Sequence, residues 1–268
     1  MELQGQTALV TGANRGIGRA IANELASRPL RRLLCGVRSP DRFEAIEPPP
    51  GGAQEVRAVG LDLSSPEEIA RGWAELPELD LLVNNAGLLT ADQLESQELD
   101  EIYAMMQVNL LATVDLTRRA LPGMLARARG KIVNNASISA YAWFPGASTY
   151  AASKAGVVAF SEALRRELRD TGVSVLHLVT PGVDTDMLAA TKESYERLGT
   201  DPASWDQIPA PEWASRVVKA IEEDEKVLGP GGRSALAKLA SRGPGFLLDA
   251  VSERMFSRRS GEGGSGPP

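Results

Sequence analysis

The 268-residue sequence predicts an α/β fold, a single-domain doubly wound parallel sheet with helices on both faces. Three observations lead there. Short apolar runs bounded by glycine recur along the chain, and stretches with apolar residues at helical spacing lie between them. Most of the runs are largely apolar instead of strictly alternating with polar residues, as strands covered on both faces are. Right-handed crossovers wind such strands into one sheet.

In chain order, TALVTG (7–12) reads as a buried strand and IGRAIANELAS (17–27) as the helix after it. RRLLCGV (31–37) and EVRAVGLDL (55–63) are the second and third strands. Between them EPPPGG (47–52) reads as a surface loop where a helix would be expected, because three prolines cannot continue one. LDLLVNNAG (79–87) is the fourth strand, 97–127 a long helical stretch, and GKIVNNAS (130–137) the fifth strand. A helix over 150–170 and the strand VSVLHLVTPG (173–182) complete the pattern. Residues 1–232 are expected to form the catalytic domain, with a substrate loop over 186–212. The stretch 233–259 reads as an amphipathic helical extension broken by GPG, and 260–268 as a disordered tail of linker composition.

Composition narrows the function. Hydrophobic residues make up 43% and charged residues 24%, as in ordinary globular proteins with a sizeable core. A net charge of −6 argues against a nucleic-acid-binding surface. One cysteine, Cys35, excludes a disulfide framework, and one histidine, His177, argues against a histidine metal site or a Ser-His-Asp triad. Both are expected to be packed core residues. Apolar runs fall far short of the ~20 residues that span a bilayer, and the N-terminus lacks a signal-peptide pattern. The expected location is cytoplasmic.

TGANRGIG (11–18) joins the first strand to the first helix. Gly12 permits a tight turn, Gly16 a close backbone approach and Gly18 helix–strand packing, so the helix N-terminus can receive a pyrophosphate. Further on, STYAASKAG (148–156) sets Tyr150 and Lys154 one helical turn apart among small residues. Those small residues suit either a cofactor or a neighbouring helix across a subunit contact. The Gly-x-x-x-Gly-x-Gly spacing, the NNAG at 84–87 and the Tyr-x-x-x-Lys together resemble the short-chain dehydrogenase/reductase superfamily, over residues 5 to 230. That resemblance implies a Rossmann-like sheet and an oxidoreductase that moves a hydride between a nicotinamide and a carbonyl or alcohol carbon.

The resemblance implies NADP(H) as cofactor. Gly36 falls where NAD-preferring relatives carry an acidic residue, while Arg15 and Arg38 match cations of the NADP-preferring branch, able to bind a 2′-phosphate. The loop residues Gly12, Asn14, Arg15, Gly16, Ile17 and Gly18 would hold the phosphates, and Asp62 and Leu63 the adenine. Asn85, Ala86 and Gly87 would pass the adenosine ribose. Pro181, Gly182, Val183 and Thr185 match the nicotinamide end.

Proton transfer to or from the substrate oxygen needs a titratable group, and with histidine nearly absent Tyr150 is the candidate acid/base. Lys154 is expected to lower its pKa and to hold the nicotinamide ribose. The resemblance implies that Ser137, with Ser139 as fallback, fixes the substrate oxygen, and that Asn109 kinks the preceding helix and holds a water in the proton relay. The alternative is a non-catalytic NADP(H)-binding sensor or scaffold. Tyr141, Trp143, Phe144 and Met187 offer an apolar pocket, which suits a hydrophobic carbonyl substrate. The basic stretch 234–259 would pack on protein in preference to a membrane surface. The resemblance implies a homodimer or homotetramer through the long helices.

Overall fold

The computed structural model describes residues 1–197 and 207–230. Seven parallel strands form one sheet in the order β3-β2-β1-β4-β5-β6-β9. In chain order they are β1 (Thr7–Thr11), β2 (Arg32–Val37), β3 (Val56–Gly60), β4 (Leu81–Asn84), β5 (Gly130–Asn135), β6 (Val173–Leu178) and β9 (Val227–Leu228). A two-stranded piece, β7 (Gly182–Asp184) with β8 (Gln207–Pro209), lies beyond the carboxyl end of β6. The sheet is thus the doubly wound one that the apolar runs predict.

Alternate side chains of each strand enter two cores. Ala8, Val10, Leu33, Cys35, Leu81 and Val83 pack on one face with Ile21 and Leu25 of α1 (Gly16–Ala26) and Trp213 and Val217 of α7 (Ala210–Glu222). Leu9, Leu34, Leu82, Ile132 and Val175 pack on the other, against α2 (Pro66–Trp73), α4 (Ala112–Ala126) and α5 (Ser148–Glu167). Burying both faces is what removes the polar alternation from these strands.

The observed strands stop short of several expected ends. The third ends at Gly60 and the sixth at Leu178, because the residues after them turn into the cleft described below. The segment 47–52 is a loop, as its prolines require. Helices α2 and α7 and strand β9 are additional. Only Ile69 of α2 is buried, so its apolar stripe is faint, although Ser65 caps it by accepting from Glu68 N at 3.2 Å. The long helical stretch is α3 (Leu99–Met106) and α4 joined by a π-helical segment, Gln107–Leu111. Within 186–212, α6 (Asp186–Arg197) is helical, and part of that loop lies outside the described residues, as do 233–259 and 260–268.

Candidate active site

A cleft of about 840 Å³ runs across the carboxyl ends of the strands, over the β1/β4 junction where the winding direction reverses. The β1–α1 turn contributes Gly12, Asn14, Arg15, Gly16, Ile17 and Gly18. Gly12 (φ +68°) and Gly16 (φ +55°) occupy the left-handed region that favours glycine. A Cβ on Gly18 would stand 2.2 Å from the Gly12 carbonyl oxygen and 2.5 Å from Asn85 Nδ2, so no side chain fits there. Helix α1 begins without a side-chain cap, leaving its first amides for an anion.

At one end of the cleft, Arg15, Arg38 and Arg42 all line the wall, and among the described residues none of the three guanidinium groups has an ion-pair or hydrogen-bond partner. Arg42 was not among the expected residues. It comes from the short turn Pro40–Arg42, and its signal is its place four positions after Arg38 in RSPDR. A Cβ on Gly36 would meet Leu61, Leu9 and the Val10 carbonyl at 3.3 Å each, so packing resists a larger residue. Asp62 and Leu63 line the same end, with Asp62 Oδ1 accepting from Ser64 N at 2.9 Å. Asn85, Ala86 and Gly87 follow from β4. Thr11 Oγ1 anchors them, accepting from both Asn85 N and Ala86 N at 3.0 Å.

Tyr150, Lys154 and Ser137 meet in the middle of the cleft. Burial pushes the Tyr150 phenol above its ordinary pKa, and its hydrogen bond with Ser137 works in the other direction. This corrects the expectation that Lys154 lowers it. The Lys154 ammonium lies 5.9 Å from the tyrosine ring centroid and donates to the Asn135 carbonyl at 2.9 Å. Its own burial lowers it to about 8. Asn135 itself was not expected. Its carboxamide bridges Asn85 and Thr180, tying β4, β5 and the end of β6 together beneath the lysine. Ser137 caps a short turn by accepting from Ser139 N at 3.1 Å, so Ser139 stands beside it at the cleft wall.

Asn109 does not line the cleft. It sits behind Gly87, with a Cβ at that glycine 3.2 Å from Asn109 Oδ1 and 3.5 Å from Lys154 Nζ. Its carboxamide accepts from Leu88 N and donates to Leu88 O and Ser153 Oγ. Asn109 lies in the π-helical segment, and Thr113 Oγ1 donates to its carbonyl at 3.0 Å.

Pro181, Gly182, Val183 and Thr185 form the wall after β6. Gly16 is where this wall meets the phosphate loop, since a Cβ there would lie 3.3 Å from Thr185 Cγ2. The remaining wall is mixed: Leu88, Leu89, Ala104, Phe144, Met187 and Tyr195 give it apolar surface, and Asp186 and Thr191 line it beside them. Of the four expected pocket residues, Phe144 and Met187 line it, whereas Tyr141 and Trp143 do not. Trp143 is 60% exposed and its indole donates to the Ala140 carbonyl. Cys35 and His177 are core residues, and burial raises the Cys35 thiol to about 12.

Residues 6–196 match the family model for short chain dehydrogenase. The chain belongs to the short-chain dehydrogenase family. It is 32% identical over 225 residues to a 3-oxoacyl-[acyl-carrier-protein] reductase of Aquifex aeolicus, covering 81% of this chain and 90% of that protein. It is 33% identical over 229 residues to a ketoacyl reductase of Nostoc, covering 82% and 76%. Among solved structures, a short chain dehydrogenase of Burkholderia cenocepacia in complex with NADP superposes with a TM-score of 0.80 at 26% identity, over 94% of this chain and 99% of that one. A short-chain dehydrogenase of Sphingobium yanoikuyae in complex with NADPH gives 0.72 at 25% identity, over 97% and 98%. The protein is an oxidoreductase of this family.

Proposed function

We propose that the protein is an NADP(H)-dependent carbonyl reductase acting on a hydrophobic substrate. The observation that carries this reading is one cleft lined by three arginines that are unpartnered among the described residues and by a buried phenol beside Ser137, with a largely apolar stretch of wall next to it. NADPH complexes of the family relatives support it. So does the fit of the wall to the cofactor: an uncapped helix start for the pyrophosphate, and Arg15, Arg38 and Arg42 for a 2′-phosphate dianion, which cations bind by charge-assisted hydrogen bonds. Bound NADPH would supply the hydride for the carbonyl carbon.

The chain's own groups supply the proton. Ser137 and Tyr150 would both hydrogen-bond the carbonyl oxygen, polarising it. A phenol whose pKa is raised keeps its proton at neutral pH and so is neutral and ready to donate, the form a reduction consumes. Lys154 would hold the cofactor ribose. Asn109 would act from behind Gly87 by holding the Leu88 backbone and Ser153 in place. Leu88, Phe144 and Met187 give a substrate apolar surface to pack on, and the Asp186 carboxylate beside them disfavours an anionic one.

The proposal includes a catalytic unit over 1–232 and a homodimer or homotetramer. Leu99, Tyr103 and Leu111, exposed by 58%, 65% and 54%, support an assembly through α3 and α4. Among the described residues no helix is long and apolar enough to cross a membrane.

Tyr150→Phe tests the chemistry. It should lower kcat by about 10³-fold, within the usual range for removing a general acid, while NADPH still binds. Turnover within tenfold of wild type on a panel of apolar ketones, followed by NADPH absorbance, would remove Tyr150 from the reaction.

A further inference from the structure

We infer that Arg19, which is outside the cleft, sets the cofactor preference by positioning the segment that carries Arg38 and Arg42. The inference rests on the NADP(H) reading above. Arg19 lies in the first turns of α1. Its guanidinium stacks over the Phe43 ring at 5.0 Å from the centroid. The same group donates from Nη1 to the Glu44 carbonyl and from Nη2 to the Ala45 carbonyl, the latter at 3.3 Å. One planar side chain therefore grips three consecutive residues, a geometry that guanidinium permits and an ammonium does not.

Those three residues directly follow Arg42 and have no helix or strand of their own to place them. Upstream, Arg38 leaves β2 at Val37, and the Pro40–Arg42 turn closes with Arg42 N donating to Ser39 O at 3.2 Å and Phe43 N to Pro40 O at 3.1 Å. The segment is thus held at its start by the sheet and at its end by Arg19, with Ile46 buried in the core beyond. The Arg19–Glu44 side-chain contact, at 3.9 Å with Glu44 92% exposed, contributes little. The carbonyl grip and the ring stack do the positioning. Their helix is the one whose N-terminus bounds the phosphate loop, so the clamp fixes Arg38 and Arg42 relative to Arg15. A dianion gains from each cation held where it can reach, and a ribose hydroxyl gains far less. Losing the clamp should therefore weaken NADPH selectively.

The test is fluorescence titration of the full chain with NADPH and with NADH, comparing dissociation constants on one preparation. Arg19→Met should lower the NADPH-over-NADH preference about tenfold by weakening NADPH, with NADH affinity moving less than about twofold. Arg19→Lys should fall between, since one ammonium cannot serve both carbonyls and the ring. Phe43→Leu, which keeps Arg19, should shift the preference the same way and carries the test if Arg19→Met does not fold. Arg38→Ala is measured alongside. No NADPH preference in wild type, or no change in Arg38→Ala, overturns the NADP(H) reading and the inference with it. A lowered preference in Arg38→Ala with an unchanged one in Arg19→Met and Phe43→Leu, or an equal loss of both cofactors, overturns the clamp alone.

Discussion

Tyr150 and Lys154 are neighbours on α5, yet burial acts on them in opposite senses. It keeps the phenol protonated and it weakens the hold of the ammonium on its proton, down to about 8. The consequence is testable in binding. The ammonium form dominates below that value and is lost above it. NADPH affinity should stay level from about pH 7 to the value near 8 and fall above it, as Nζ loses the proton it would donate to the ribose. Lys154→Met should bind more weakly at about pH 7 and lack that inflection, which a titration of dissociation constant against pH would show. The pair was legible because an i, i+4 spacing in one helix is local information. Asn135 was not legible: in NNAS it reads as half of a polar doublet. Only the pairing of β5 with β4 and β6 puts its carboxamide between Asn85 and Thr180 and its carbonyl under the lysine. Arg42 was missed for a similar reason, since a turn, not a strand end, brings it to Arg15 and Arg38.

Among the elements, the β1–α1 unit is the most constrained. Gly18→Ala would drive a Cβ into a backbone oxygen, which cannot swing away as a side chain would. It should destabilise the fold by about 3 kcal/mol or more. Gly5→Ala is the matched control: its φ of +71° is also left-handed but nothing lies within 4 Å of the added Cβ. Its loss should be only about 1 kcal/mol. Thermal unfolding of the two variants against wild type checks the difference, and equal melting temperatures would refute the steric argument. The glycine spacing in TGANRGIG carried this element into view because each glycine answers a backbone demand made by its near neighbours. The π-helical segment carried no such local sign, and only the family resemblance marked a kink at Asn109. Its extra residue is stabilised by Asn109 bonding Leu88 and Ser153, partners 21 and 44 positions away.

Across the whole molecule, the end of the sheet opposite the cleft is closed by a buried cation. Lys131, fully buried at the start of β5, is paired with Asp224 just after α7, and Ser174 of β6 donates to the same carboxylate at 2.8 Å. Burial pulls the Lys131 pKa down, and Asp224 opposes that shift. Partial burial works against the Asp224 charge, but its bonds to Lys131 and Ser174 prevail and hold its pKa below the ordinary 3.8. A carboxylate depressed on folding adds stability above its unfolded pKa, and that stability is lost as pH falls through the folded value, here below about pH 4. Asp224→Asn keeps a residue that tolerates the local φ of +53° while removing the charge. It should lower stability near neutral pH by about 2 kcal/mol, less than for a wholly buried pair because the Asp224 side chain is 57% exposed. Urea unfolding at about pH 7 and pH 3 would check it: the variant and wild type should differ less at the lower pH. The sequence alone determined the layered α/β architecture, the phosphate loop and the Tyr-x-x-x-Lys pair, because strand periodicity, glycine turns and one-turn helix spacings are written in residues close together. The tertiary structure decided the three-arginine end, the clamp by Arg19, the place of Asn135 and Asn109, and which apolar residues face the cleft. Each of these depends on backbone partners far apart in the chain, and only strand order and register bring them within bonding distance.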